Sequence, residues 1–257
     1  MNQRDHRGEQ SASTPTSLTR VAWWLAGGGV VLASLAGLFF VGMVLTTPGE
    51  KVHSLFFQLW YLFDVGAERN IPSWYASMLW AAFAGSAFAA AVLACRKRVS
   101  WAAMGLVGVA ASIDEHSELH ERLDQIGTPL AEALGWDLWF TWVIPGVVIA
   151  VVVAALLLPL VLSLRPRSRW LVLAGGAVFL LGAIVVESLS GLVLAHFADQ
   201  VTWHFILVTL VEELLEMLGL ALAIAGVLAM FDVSRLPERA WTVRFRDSTG
   251  PAEVAGE

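Results

Sequence analysis

Six apolar runs along one chain leave it few ways to fold in water. They lie at about residues 21–46, 72–95, 99–113, 138–164, 170–195 and 203–231, and all but the third exceed 20 residues. Crossing ~30 Å of hydrocarbon takes roughly 20 apolar residues in a helix. Inside lipid every backbone polar group must be satisfied within its own segment, so runs of this kind read as helices. Composition agrees: 57% of residues are hydrophobic and 15% charged, against about half and about a quarter in a soluble domain. Residues 21–231 are therefore read as one all-α domain, a polytopic membrane bundle of about six transmembrane helices. Residues 1–20, rich in Ser, Thr and Gln, and residues 232–257, polar with Pro237 and Pro251, read as disordered tails. The first run is too long for a signal-peptide core and lacks a small-x-small cleavage site, so it reads as an uncleaved span.

Orientation follows from Lys and Arg. With the N-terminus inside, one face holds Arg4, Arg7, Arg20, Arg96, Lys97, Arg98, Arg165, Arg167, Arg169, Arg235, Arg239, Arg244 and Arg246, and the other only Lys51, Arg69 and Arg122. Thirteen against three is a strong positive-inside bias, and it predicts both termini in the cytoplasm; the membrane itself is read as a bacterial cytoplasmic (inner) membrane. Trp101 and Trp170 then mark inner span starts, and Trp74, Trp139 and Trp203 outer ends, as interfacial indoles do.

Between the first two spans, Pro48, Gly49 and Glu50 break the helix, and His53–Phe63 is crowded with Phe56, Phe57, Trp60, Tyr61 and Phe63. This predicts a short helix lying in the interface, an anchor in preference to a lid. Gly27, Gly28 and Gly29 predict a close backbone approach in the first span. The single Cys95 excludes an intrachain disulfide and a Cys-cluster metal site. It reads as a packed thiol, with palmitoylation beside Arg96-Lys97-Arg98 as the alternative. No basic patch is interleaved with aromatics, so nucleic acid is not an expected partner.

The third run is the odd one. Its 15 residues from Val99 to Ile113 make roughly 22 Å of helix, short of the hydrocarbon thickness. To finish crossing, the helix must continue into Asp114-Glu115-His116-Ser117-Glu118-Leu119-His120-Glu121. Glu187 lies about 17 residues into the outward-going fifth span, and Glu212, Glu213 and Glu216 about 9 to 13 residues into the inward-going sixth. Counting helical rise puts all of them in the outer half of the bilayer. Asp114, Glu118 and Glu121 share one stripe of a continued helix, with Gly108 and Ala111 keeping it narrow. Thr209, Glu212, Glu213 and Glu216 share a face that runs into Gly219 and Ala223, and Glu187 is flanked by Ala183, Ser190 and Gly191. Small residues on polar faces predict that these faces meet inside the bundle.

An ionised carboxylate in lipid costs at least ~2.5–3.5 kcal/mol on insertion scales, and neighbouring acids add repulsion. Bound cations, protonation or water in a cavity are the available remedies, since Arg122 at the outer edge is the one cation of these segments. Oxygen donors with one or two imidazoles suit a divalent metal, Fe, Mn or Zn, and no nucleotide cofactor is expected. The candidate ligands are Asp114, Glu115, Glu118, His120, Glu121, Glu187, Glu213 and Glu216, with His116 and Glu212 as further candidates. Residues 116–124 also fit a solvated helix end outside the membrane, with Glu118 and Arg122 as an i, i+4 pair. His53, His196 and His204, near outer span ends, read as interfacial.

Carboxylates and His on facing helices resemble ferritin-like di-iron sites, yet the acid-bearing segments offer Glu-x-x-Glu (Glu115/Glu118, Glu118/Glu121, Glu213/Glu216) where those sites use Glu-x-x-His. His116 and His120 have the zincin spacing, but Ser117 stands where the catalytic Glu would be. The two acidic stretches faintly resemble the Asp-rich motifs of intramembrane prenyltransferases, which hold diphosphate through Mg; they depart in using Glu and in helix count. Asp114-Glu-x4-His-Glu followed by Glu212-Glu-x-x-Glu-x-x-Gly is similar to uncharacterised bacterial multipass membrane proteins. That resemblance covers the third and sixth spans and implies no activity.

Three roles fit these residues. The first is a metal centre open to the outer leaflet and acting on a lipid or other apolar substrate, with an unliganded carboxylate as base. The second is a cation or proton carrier or channel, against which stand the apolar inner halves of the spans and the lack of inverted repeats. The third is a non-catalytic subunit whose polar face meets a partner protein.

Overall fold

The computed structural model describes residues 18–197, 200–235 and 241–246. Helices α1 (Thr19–Val44), α2 (Lys51–Phe63), α3 (Ile71–Leu93), α4 (Arg98–Ser117), α5 (Asp124–Leu134), α6 (Val143–Val161), α7 (Pro166–Leu180), α8 (Glu187–His196) and α9 (Trp203–Leu228) are followed by strands β1 (Phe231–Arg235) and β2 (Trp241–Phe245). A π-helical turn, Leu181–Val186, joins α7 to α8, so the two form one rod from Pro166 to His196. Among the described residues, four stretches are long and apolar enough to cross a membrane: α1, α3, α6 and the Pro166–His196 rod, with mean hydropathies of 2.0, 1.7, 2.8 and 2.3. The chain is thus an integral membrane protein built from helices.

Local chemistry sets the helix ends. The Asn70 side chain accepts from Ser73 N at 3.2 Å and Pro72 sits in the first turn, a strong start for α3. Thr202 caps α9 through Phe205 N, and Pro166 opens α7. α4 stops because Glu118 turns into the left-handed region at φ 52°. A non-glycine residue there is strained, and nothing in its side chain announces the stop.

α3 packs on α4, and α9 packs on α7, α1 and α3. α7 and α9 cross glycine on glycine: a Cβ added at Gly175 would lie 2.6 Å from Gly219 O, and one at Gly219 2.4 Å from Phe179 N. Such contact of backbones is how helices associate where no hydrophobic force drives them together. The buried core gathers at one end of the bundle, with Leu79, Phe83 and Ala87 of α3, Trp101 and Met104 of α4, Leu160 of α6, and Leu220, Ile224 and Val227 of α9.

Several expectations change. The stretch after 231 is not uniformly irregular: β1 and β2 pair antiparallel, Phe231 opposite Phe245, and Phe245 stands edge-on to Trp101 at 5.7 Å. The alternation Trp241-Thr-Val-Arg-Phe245 places apolar residues at every second position, a short strand signal. Residues 1–17, 236–240 and 247–257, most of the expected tails, lie outside the described residues. The fourth apolar run, expected from 138, becomes helical at Val143, after the additional helix α5. Gly28 and Gly29 face the side chains of Tyr75 and Met217 and not another backbone, and the Tyr75 hydroxyl donates to Leu25 O. Cys95 is exposed, not packed. α2 rests on α1 through Phe39–Phe63 and Phe40–Trp60 contacts at 5.3 and 6.1 Å, while Leu55, Phe57 and Tyr61 stay exposed.

Candidate polycarboxylate site

Opposite the apolar core, three helices and one loop bring acids together. Glu213 and Glu216 of α9 feel the charges of Glu115, Glu212 and Glu68, and Glu187 acts on Glu212 and Glu216. Glu115 in turn feels Glu68, Asp114 and His120. Glu212 is 9% exposed, and its Oε2 has no hydrogen-bond partner. Glu115, Glu187, Glu213 and Glu216 are half-buried. Gly182 of the π-turn lets α9 approach, since a Cβ there would sit 2.8 Å from Glu212 O and 2.9 Å from Glu216 Cγ. The wider π-turn changes the helical phase just before Glu187, a device common at functional sites.

Asp124 organises the far wall. Its Oδ1 accepts from Thr141 Oγ1 at 2.7 Å and from Trp142 N at 2.5 Å, fixing the start of α6 to the start of α5. Trp142, so held, donates its indole N–H to Glu187 Oε1 at 2.8 Å and meets the His120 ring at 4.8 Å. Asp114 accepts the backbone N–H of His120 at 2.7 Å and faces its Nδ1 at 3.1 Å, so both carboxylate oxygens serve one residue. This closes the turn that follows α4.

The continued stripe expected for Asp114, Glu118 and Glu121 does not form, because the left-handed Glu118 breaks the period. Glu118 pairs with Arg69 at 3.1 Å, not with Arg122. Glu121 is exposed at the rim and His116 is exposed, so neither belongs to the inner group. His196 is exposed too, and His53 Nδ1 lies 3.2 Å from Thr46 O; His204 stacks on Phe197. Glu68, Asp124 and Trp142 were not among the sequence candidates. Each sits outside the six apolar runs or at the edge of one, where a single polar residue carries no signal of its own.

The loop before α3 has its own electrostatics. Burial raises the Asp64 carboxyl above its ordinary value against the Gly66 N–H that it accepts. Burial likewise lifts Glu68 to about 7; the nearby His120 and the Ser73 hydroxyl oppose this, while Glu118 and Glu121 add to it. A carboxyl whose folded value lies above its unfolded one weakens the fold as pH rises from the unfolded value, and the loss is complete above the folded value. Glu68→Gln should therefore match wild type below about pH 4.5 and become progressively more stable than it as pH rises to about 7. Thermal unfolding of both proteins across this window checks it; a difference independent of pH would contradict the burial of Glu68.

Among the described residues no group of three or more His, Cys, Asp or Glu side chains is placed to hold a metal ion. The acids share a region without meeting at one point. A family model described as a domain of unknown function, DUF8692, matches residues 29–231. The chain belongs to the DUF8692 family. The matched region of this DUF8692 chain takes in α3 through α9, and with them every acid of the cluster. No curated protein and no solved structure matches it.

Proposed function

We propose that this DUF8692 protein spans a bacterial cytoplasmic membrane six times, both termini inside, and that its acid cluster takes up a divalent cation (Fe, Mn or Zn) in the outer half of the bilayer. There it acts on a lipid or other apolar substrate. The spans are α1, α3, α4, α6, the α7–α8 rod and α9. With 20 residues, α4 is about 30 Å long, enough to cross because the helix continues through Asp114, Glu115 and His116 to Ser117, the first part of the expected extension. Arginines gather at the ends where α1 and α7 begin and α9 ends, in keeping with the positive-inside bias.

One observation carries the cation reading. Glu212 buries a carboxylate oxygen with no donor beside Glu187, Glu213 and Glu216. Among the described residues no Lys or Arg forms an ion pair with any of them. A buried unpaired charge is costly, and a cation relieves several at once. The donors would be carboxylates drawn from Glu115, Glu187, Glu212, Glu213 and Glu216, a hard oxygen set that has to close around the ion; Asp114 and His120, already bound to one another, hold the neighbouring turn. A bound metal would polarise a substrate oxygen or a water. Glu68, at the rim with its carboxyl lifted to about 7, has the proton affinity of a general base near neutral pH.

The spread of the acids favours a second reading, in which protons in place of a metal relieve the charge and the cluster belongs to a proton or cation carrier. The packed core of Leu79, Phe83, Trp101 and Ile224 closes the other end, so such a carrier must move helices to pass its cargo on. Metal analysis of the detergent-purified protein separates the two. We expect about one metal ion or more per chain in wild type and at least about tenfold less in Glu213→Ala/Glu216→Ala. Fewer than about 0.2 per chain in both, after loading with Fe, Mn or Zn, would remove the metal reading. Liposome flux that Glu187→Gln abolishes would then establish the second.

A further inference from the structure

At the end of the bundle away from the acids, a cavity of about 470 Å³ opens where α1 and α7 begin, α9 ends and the hairpin folds back. Its walls join the two ends of the described chain: Thr19 from α1, Arg165 and Arg167 from the start of α7, and Asp232 and Arg246 from the hairpin. Leu18, Leu228 and Phe231 supply an apolar floor. Arg246 is neutralised by its ion pair with Asp232. Arg165 and Arg167 are both exposed, and their side chains make no ion pair or hydrogen bond among the described residues. The cavity therefore carries two uncompensated guanidinium groups. They flank Pro166, the first residue of a 15-residue helix, whose leading N–H groups add positive potential. Close by, Trp170 is 64% exposed, with Arg169 over its ring at 6.0 Å, the kind of indole that marks a membrane boundary.

A cationic mouth over an apolar floor is the shape of a phospholipid's charged head and glycerol shoulder. Guanidinium forks bind phosphate oxygens in pairs, and basic recesses on the cytoplasmic side of membrane helices take anionic head groups. We propose that this cavity binds a phosphate group, presented by an anionic phospholipid of the cytoplasmic leaflet. Because Asp232 and Arg246 belong to the hairpin and its end, the bound phosphate would hold the last described strand against the starts of α1 and α7. The proposal does not depend on what the acid cluster binds.

Native mass spectrometry of the full-length protein in detergent, offered phosphatidylglycerol or phosphatidylcholine, tests it. Wild type is expected to retain phosphatidylglycerol over phosphatidylcholine by roughly tenfold or more, and Arg165→Ala/Arg167→Ala to lose that preference. Arg96→Ala/Lys97→Ala removes as much charge near the same end of the bundle and should keep it. Should the double alanine protein not accumulate, Arg167→Gln alone is expected to lose roughly fivefold. A preference absent in wild type but replaced by binding of inorganic phosphate that needs Arg165 and Arg167 would keep the phosphate site and make free phosphate its source. Equal retention by wild type and Arg165→Ala/Arg167→Ala, or equal loss in Arg96→Ala/Lys97→Ala, would overturn the site.

Discussion

Metal-free protein carrying Glu212→Gln should unfold at a higher temperature than wild type, by about 5 °C. The argument runs from one atom. Oε2 of Glu212 is buried without a donor, among Glu187, Glu213 and Glu216. An unsatisfied buried polar group costs ~1–3 kcal/mol, and more when it is charged. Glutamine keeps the shape and removes the charge, and its amide can donate to the acids around it. A gain of about 2 kcal/mol moves the midpoint of a protein this size by a few degrees per kcal/mol. The same substitution should abolish stabilisation by added Mn or Zn, because a ligand that binds only the folded state raises stability by ~2.7 kcal/mol at a hundredfold excess over its Kd. Wild type would then rise with metal and Glu212→Gln would stay level. Residues kept for function commonly cost stability in this way. An unchanged midpoint in the metal-free variant would mean that Glu212 carries no charge, which removes the reason for a cation.

What the sequence revealed about this site was its charge and the common level of its acids along the helices. Glu187 and the Glu212–Glu216 set stand within apolar runs, where a charge cannot be hidden by any choice of local structure, so three helices could be matched by counting rise alone. Contacts made by the connections were not legible. Glu68 joins the cluster because Asn70 caps α3 and turns the preceding loop inward, its amide donating to Asp64 O at 2.6 Å. Trp142 reaches Glu187 because Asp124, 18 residues earlier, holds its backbone. The stop at Glu118 was equally hidden, since a glutamate in the left-handed region contradicts its own preference. Arg69, also left-handed at φ 62°, forms the ion pair that accompanies that stop. Two strained residues bound to each other at the rim reflect tertiary context overriding local propensity. The π-turn at Leu181–Val186 has no composition of its own; Gly182 is its one sequence mark.

The largest loss should come from a single added methyl group that carries no charge. A Cβ at Gly219 would stand 2.4 Å from Phe179 N, 2.7 Å from Gly175 O and 2.9 Å from Phe179 Cα. All three are backbone atoms of α7, so no side-chain rotation can make room. Restoring ordinary contact means moving α7 and α9 apart by about 1 Å, and an overpacked site of this kind costs ~1–3 kcal/mol or more. In lipid the penalty is felt along the whole crossing, because close backbone contact is itself the association energy. The displacement also reaches the acids: Glu216 lies one turn away on the same helix, and Gly182 contacts both Glu212 and Glu216. Gly219→Ala should therefore lower the unfolding temperature by several degrees and weaken metal uptake together, whereas Glu212→Gln separates the two. Gly176 provides the control within the same pair of helices, since a Cβ there meets nothing within 4 Å. Gly176→Ala should be neutral or stabilise by ~0.5–1 kcal/mol, the ordinary gain of alanine over glycine in a helix. Equal behaviour of the two alanines in thermal unfolding would show that α7 and α9 do not cross at Gly175 and Gly219, and would remove the packing that brings Glu212 and Glu216 beside the π-turn.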